Sequence, residues 1–174
     1  MSLIPTLIPP LVPPLILSIL RLPHGKDLPL PTKMTPHAAG FDLTAAVVDS
    51  VEIRPGEVKL IPCGFKMAVP VGYEAQVRPR SGLSSKHKIT LINCVGTIDA
   101  DYRGEVMVPL INLGSSAFVI SRGERIAQML IAPVPEVRVV EVESLDETER
   151  GSGGFGSTGV GSTGVSDAGL SAKS

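Results

Sequence analysis

Five short polar clusters interrupt an otherwise aliphatic chain, and they contain most of the side chains that could do chemistry. In chain order the clusters are 39–43, 79–84, 96–105, 122–128 and 150–159. Each one combines glycine with an arginine or an aspartate. Backbone N–H groups and guanidinium groups both donate to anionic oxygens, so this composition favours phosphate binding. Taken singly, most clusters are weak signals: Asp42 could be a turn residue, and Arg125 with Gln128 could lie on a solvated strand face.

The third cluster is the most informative, because it places two acids, a tyrosine and an arginine between two apolar runs. An ordinary β-hairpin needs only a Gly, Asn or Asp turn, so the extra polar residues indicate a hairpin with a functional tip. Asp99 lies between Ile98 and Ala100, which predicts a partly buried base able to take a proton from water. Asp101 could equally be a turn residue.

The second and fifth clusters have the ingredients of an anion site. Residues 81–88 predict a short helix whose free backbone N–H groups, beside Arg80, would face a phosphate. The alternative is a helical connector with Ser81 as its N-cap. In the fifth cluster, Arg150 precedes a glycine-rich run with hydroxyls that could wrap a terminal phosphate. Phe155 could then stack on a base, which contributes roughly 1–3 kcal/mol in single-strand binders.

Summed over the clusters, the chain offers the groups that a nucleoside triphosphate with Mg²⁺ requires. The cations are Arg80, Arg103, Arg125 and Arg150, and the acids are Asp42 and Asp99. The sequence contains no Gly-x-x-x-x-Gly-Lys-Ser/Thr loop, and Ser81 has no plausible histidine partner for a serine hydrolase. Hydrolysis at phosphorus with water as the nucleophile is the chemistry that remains.

The elements that must position these clusters are short apolar runs separated by turn residues, with no sustained helical period. We therefore predict an all-β fold, a jelly-roll sandwich or barrel with one short helix and a flexible C-terminal arm. The run 106–111 is apolar throughout and predicts a strand buried on both faces. The predicted strands are 41–46, 51–53, 57–61, 64–69, 73–78, 89–93, 105–112, 117–120, 125–132 and 137–142.

The ends of the chain differ in composition from its middle: nine of 16 prolines fall at or before Pro36, and eight of 18 glycines at or after Gly151. We expect a Pro-rich extension over 1–14, one domain over 15–149, and a Gly/Ser-rich arm over 150–174 with its functional part at 150–159. Five prolines within the apolar stretch 3–22 argue against a spanning helix and favour a cytoplasmic protein. Sixteen basic against 17 acidic residues predict no nucleic-acid or membrane partner.

Taken together, the five clusters resemble the five motifs of the homotrimeric dUTPase family, in the family's order and across 39–159. The resemblance implies a jelly-roll homotrimer that hydrolyses dUTP to dUMP and pyrophosphate with Mg²⁺, by attack of water on the α-phosphorus. That reaction limits uracil incorporation into DNA and supplies dUMP for thymidylate synthesis. It also implies active sites shared by three subunits, with the arm of one chain reaching over the hairpin of another.

The resemblance assigns a role to individual residues. Asp99 would be the general base, Gln128 would help to place phosphate or water, and Asp42 would support the water shell of Mg²⁺. The implied substrate-binding residues are Arg80, Ser81 and Gly82 for phosphate, Asn93, Gly96, Thr97 and Ile98 for uracil, Tyr102 and Arg103 in the hairpin, and Arg150, Phe155, Gly156, Ser157 and Thr158 in the lid.

Two other functions are also compatible with the sequence. A dCTP deaminase shares the jelly-roll trimer, and a catalytically silent trimer could serve as a nucleotide sensor. Tyr102 and Phe155 are the two aromatic residues outside apolar stretches, and both favour the dUTPase reading. The second Gly-Ser-Thr-Gly-Val copy, at 161–165, has no preceding Phe and is expected to be inert.

Overall fold

Ten short strands carry the fold in the computed structural model, which describes residues 14–153. A 3₁₀ turn, Pro23–Gly25, and a single π-helical turn, Leu83–His87, are the helical elements of this part. The strands are β1 (Ser18–Arg21), β2 (Phe41–Thr44), β3 (Val51–Ile53), β4 (Val58–Ala68), β5 (Tyr73–Pro79), β6 (Ile89–Leu91), β7 (Gly96–Ile98), β8 (Glu105–Asn112), β9 (Phe118–Ile120) and β10 (Arg125–Pro133).

The strands form two four-stranded antiparallel sheets and one small pair. The sheet orders are β1-β4-β8-β6, β2-β10-β5-β7 and β3-β9. Strands from all three sheets contribute to a single hydrophobic cluster, which is built mainly of Val, Ile, Leu and Ala. The all-β jelly-roll prediction is therefore confirmed, and the aliphatic core follows from a composition with only 3% aromatic residues.

Strand β5 has the alternation that its sequence predicts. Ala75 and Val77 are buried, and Arg78 is exposed. The predicted strands 57–61 and 64–69 are one continuous strand, β4. An irregularity in its pairing with β8, between Pro62 and Lys66, joins the two halves, and Gly64 supplies a positive φ of 75° there. Strands β1 and β7 are additional to the predicted set.

Strand β8 differs from the expectation of burial on both faces. Val106, Val108 and Leu110 are buried, but Met107 and the other residues of the opposite face are only half-buried. The sequence pattern is that of an inner strand. Residues 14–153, however, cover the second face only in part.

Residues 137–142 form no strand, so that prediction is wrong for this chain by itself. The segment contains exposed valines, with Val139 92% exposed. A strand needs a partner that pairs with its backbone groups, and residues 14–153 provide none here.

Contacts divide the chain into two compact units, up to Glu136 and from Val137 onward. The described part of the second unit is a mostly exposed segment that ends in a turn, where Gly153 N donates to Arg150 O at 3.1 Å. The domain limits expected from composition, 15–149 and 150–174, stay a prediction. Within residues 14–153, no helix is long and apolar enough to cross a membrane.

Candidate active site

A buried carboxylate organises one end of the β2-β10-β5 sheet. Asp42 on β2 lies opposite Gln128 on β10, and its side chain is 5% exposed. Arg125 Nη1 donates to Asp42 Oδ2 at 3.0 Å, and Gln128 Nε2 donates to Oδ1 at 3.3 Å. Arg80 Nε lies 3.7 Å from the same Oδ1. One negative charge on β2 therefore gathers a guanidinium group and an amide from β10 and a second guanidinium group from the residue that follows β5.

Arg80 is held at the centre of this cluster. Its Nη1 donates to the backbone oxygen of Arg125 at 3.0 Å, while its buried Nε has no hydrogen-bond partner among the described residues. The guanidinium is fixed in place on the Asp42 side and keeps free N–H groups. Such a group is prepared to bind an anion with little loss of conformational entropy.

A cavity of about 280 Å³ lies beside this cluster. Its lining residues are Arg80, Ser81, Gly82, Leu83, Lys86, His87 and Gln128. The predicted phosphate residues Arg80, Ser81, Gly82 and Gln128 are thus brought together. The helix predicted over 81–88 is present as the shorter turn Leu83–His87, which ends at Lys88 with φ 60°. Lys86 and His87 were not predicted as site residues; the available signal was a lysine and a histidine in the helical segment that follows Arg80.

The second half of the site is the loop between β7 and β8, residues 99–104, for which the name hairpin is kept below as a label. The expectation of a β-hairpin is wrong here, because β7 pairs with β5 whereas β8 pairs with β4 and β6, so the two flanking strands belong to different sheets. Tyr102 N donates to Asp99 O at 3.2 Å, which closes the tip. The Tyr102 ring lies over Gly104, where a Cβ would come within 2.2 Å of the phenolic oxygen. Tyr102 Oη also donates to Glu105 O at 3.0 Å. Glycine at position 104 is therefore a steric requirement for this placement of the ring.

Arg103 is bound to its own turn. Its Nη1 donates to Ala100 O at 2.7 Å and to Tyr102 O at 2.8 Å, so the guanidinium stiffens the hairpin tip. Its expected contact with substrate stays a prediction.

The hairpin residues line a cavity of about 170 Å³ made by Thr97, Ile98, Asp99, Tyr102, Glu105 and Met107. Asn93 lies next to Gly96, where an added Cβ would be 3.3 Å from Asn93 Nδ2. The residues expected to recognise uracil are therefore neighbours. Asp99 itself is exposed in the single chain, whereas partial burial was expected, because a hairpin tip has few neighbours from its own chain.

The two halves lie at opposite ends of β5. Strand register pairs Ala75 with Ile98, so Asp99 lies near the Tyr73 end of β5, where it lines a second cavity together with Glu74. Arg80 follows the other end of the strand. Six residues at about 3.3 Å each put roughly 20 Å between the two ends. Within the described part of the chain, Arg80 and the Asp99 hairpin therefore lie far apart.

The lid residues are described only at their start. Arg150 Nε donates to Gly153 O at 3.0 Å, within a local turn. Phe155, Gly156, Ser157 and Thr158 lie outside the described residues.

Few of the described side chains are suited to bind a metal ion directly. Among residues 14–153, no group of three or more His, Cys, Asp or Glu side chains could hold a metal ion. Asp42 is nearly covered, and both of its oxygens face nitrogen donors, so it does not fit a direct metal ligand. Its expected role in a Mg²⁺ water shell stays a prediction.

A jelly roll with guanidinium groups beside one cavity and a carboxylate on a separate hairpin fits a class of proteins that bind anionic ligands. Comparison with known proteins identifies the family. The model of the dUTPase family matches residues 26–159, so the chain belongs to the dUTPase family.

Solved structures agree with this assignment. The dUTPase of Staphylococcus bacteriophage 80alpha with dUpNHpp is 28% identical, with a TM-score of 0.75, over 83% of this chain and 99% of the phage chain. A point variant of that enzyme with dUpNHpp is 27% identical over the same shares, also with a TM-score of 0.75. A variant of the phage phi11 dUTPase of S. aureus, which coordinates a structural Mg(II) ion, shares the fold at 22% identity and a TM-score of 0.68, over 76% of this chain and 99% of that one.

Proposed function

We propose that this dUTP diphosphatase cleaves dUTP to dUMP and pyrophosphate by attack of a water molecule on the α-phosphorus, with Asp99 as the general base. Family membership gives the overall reaction, and the roles below are those that the family resemblance implies, with the geometry of the two half-sites as support for the described residues. A carboxylate at a hairpin tip can accept the water proton as the new O–P bond forms. The pyrophosphate leaves as the anhydride bond breaks.

Arg80, Ser81, Gly82 and Gln128 would hold the phosphate chain, because they line one cavity beside the buried Asp42. The side chain of Arg80 would gain partners for its free N–H groups. Electrostatic stabilisation by groups that are already in place is usually the largest catalytic term in phosphoryl transfer. This end of the sheet therefore supplies binding energy and charge neutralisation.

The hairpin cavity would select the nucleoside. Asn93 and the backbone of 96–98 offer donors and acceptors to the uracil edge, and the Tyr102 ring would lie against the deoxyribose and exclude a 2′-hydroxyl. Arg103 and the arm residues Arg150, Phe155, Gly156, Ser157 and Thr158 would complete the substrate contacts. Binding of a substrate OH or NH by fixed polar groups gives strong discrimination.

Mg²⁺ would bind mainly through the triphosphate oxygens and water, since it keeps several waters and needs few protein carboxylates. When bound, the ion would neutralise phosphate charge. The residues of this chain would position the phosphates through Arg80 and its neighbours, with Asp42 acting on the ion at most through water.

We also propose a homotrimer whose active sites combine residues of different chains. The observation that carries this proposal is the separation of roughly 20 Å between Arg80 and the Asp99 hairpin along β5. Two half-sites on different chains can meet across an interface, and a head-to-tail arrangement of three chains closes into a ring.

A second observation supports association. The outer face of the β4–β8 pair is apolar and incompletely covered, with Leu60 57% exposed. The register sets Val58 opposite Ile111, Leu60 opposite Pro109 and Pro62 opposite Met107. A continuous apolar face of this kind on a small domain indicates a protein interface. The valine-rich segment 137–142 would find its strand partner on another chain in the same assembly.

The activity is tested by incubating the full chain with dUTP and with dCTP in Mg²⁺ and measuring pyrophosphate and ammonia. We expect pyrophosphate from dUTP alone. Ammonia from dCTP would instead indicate the deaminase reading, and binding of dUTP without turnover would indicate a silent nucleotide sensor.

Shared sites are tested by subunit complementation. Asp99→Asn and Arg80→Ala chains are each expected to be inactive. When the two are unfolded, mixed one to one and refolded, about a quarter of the sites should combine an intact hairpin with an intact phosphate end. Recovery of about a quarter of wild-type activity supports sharing, whereas no recovery means that both halves of a site come from one chain. A cytoplasmic location stays a prediction.

A further inference from the structure

The N-terminal turn and the start of β8 meet through an imidazole and a carboxylate. His24 Nε2 lies 2.8 Å from Glu105 Oε1, and the backbone N–H of Gly64 donates to the same oxygen at 2.9 Å. The two side chains are 34% and 22% exposed, so the pair is partly shielded from water. One carboxylate oxygen thus joins three segments of the fold.

The turn that carries His24 is firmly attached to the domain. Leu22 N donates to Gly64 O at 2.9 Å, and Arg122 Nη2 donates to His24 O at 2.7 Å. Gly25 and Gly64 pack backbone against backbone, since a Cβ on Gly25 would come within 2.2 Å of Gly64 O. His24 is therefore a fixed point rather than a mobile surface group.

Glu105 connects this fixed point to the hairpin. Its backbone oxygen accepts a hydrogen bond from the Tyr102 hydroxyl at 3.0 Å, and the residue lines the same cavity as Asp99 and Thr97. A displacement of Glu105 would therefore be transmitted to the Tyr102 ring and to the tip that carries Asp99.

We propose that His24 and Glu105 act as a positioning pair that holds the hairpin in its catalytic geometry. The proposal rests on the proposed function, because it assumes that Asp99 is the base. His24 lies outside the five polar clusters, and Glu105 is the last residue of the third. Neither residue touches the reacting atoms; both act through Tyr102 and Asp99, and a misplacement of about 1 Å can cost a large factor in rate.

The test compares kcat and KM for dUTP in His24→Ala, Glu105→Ala and Glu105→Gln, with His37→Ala as a control at an exposed histidine. We expect kcat to fall about three- to tenfold in the two alanine variants, with KM changed less than about twofold. Glu105→Gln keeps an oxygen that can accept both hydrogen bonds and should return kcat to within about twofold of wild type. The double alanine variant should match Glu105→Ala, because the two residues act as one unit.

A merely structural role predicts a different pattern. If thermal melting shows a loss of stability while kcat of the folded variants equals that of wild type and of His37→Ala, the proposal is overturned. Additive losses in the double variant also overturn it. Should His24→Ala not fold, the comparison of Glu105→Ala with Glu105→Gln decides alone. Wild-type turnover and its loss in Asp99→Asn, measured in the same assay, test the proposed function separately.

Discussion

Asp42 gives the sharpest test of how the phosphate end works, because the geometry and the family resemblance suggest different roles for it. In the structure its carboxylate holds Arg80 and Arg125, whereas the resemblance assigns it to the water shell of Mg²⁺. We perturb it by Asp42→Asn, which keeps the volume but removes the charge and turns one acceptor into a donor.

The contacts set the expected magnitude. Removing one partner of a fully buried ion pair costs about 3–5 kcal/mol, and hydrogen bonds to charged groups contribute about 1.5–3 kcal/mol each. Arg80 and Arg125 are 27% and 44% exposed, so water recovers part of this loss. We expect the free energy of unfolding to fall by about 2–3 kcal/mol. Because Arg80 loses its anchor, KM for dUTP should rise about tenfold, equivalent to about 1.4 kcal/mol.

The assays are urea unfolding at one fixed chain concentration, steady-state kinetics, and a titration of activity against Mg²⁺. The matched control is Glu52→Gln, which removes the charge of an exposed carboxylate that lies 3.1 Å from Arg54. That change should cost less than about 1 kcal/mol and leave KM unchanged. If Asp42→Asn instead raises the half-activating Mg²⁺ concentration tenfold while stability and KM stay as in wild type, our reasoning about the arginines is refuted.

Three further outcomes can be checked. Asp99→Asn should lower kcat by about 10²- to 10⁴-fold while dUpNHpp still binds by calorimetry, and unchanged turnover would remove Asp99 as the base. A chain ending at Glu149 should keep its oligomeric state on a sizing column but lose efficient turnover. An unchanged kcat/KM would exclude a catalytic role for the arm. Burial and the charge of Glu105 raise the pKa of the Cys63 thiol to about 12, while Cys94 is exposed. At pH 8 a thiol reagent should therefore modify one cysteine per native chain and two in urea; two in the native state would mean that Cys63 is accessible.

The strands were predictable from the sequence because alternation and turn residues are local signals. The pairing of the strands was harder to predict, because it joins residues that are distant in sequence. Asp42 and Gln128 are 86 residues apart, and the β2–β10 register brings them together. The polar clusters identified both residues as candidates, but nothing in the sequence indicated that Asp42 would engage the arginines.

Two expectations that rested on local apolar pattern differed most from the structure. The neighbours of Asp99 suggested burial, and the valines of 137–142 suggested a strand, yet both are exposed. An apolar pattern indicates that a side chain is to be buried, but it does not identify the residues that bury it. His24 gave no signal at all, since a lone histidine between proline and glycine is typical of a turn.

The length of β5 has a genetic consequence. If the base at one end of this strand serves a different active site from the arginine at its other end, each chain takes part in more than one site. A chain defective at one end would then disable one site of the ring and still complete another, whereas a chain defective at both ends would disable two. Loss-of-function alleles at opposite ends would partly rescue each other when expressed together, whereas an allele defective at both ends would act dominantly when expressed beside the normal gene.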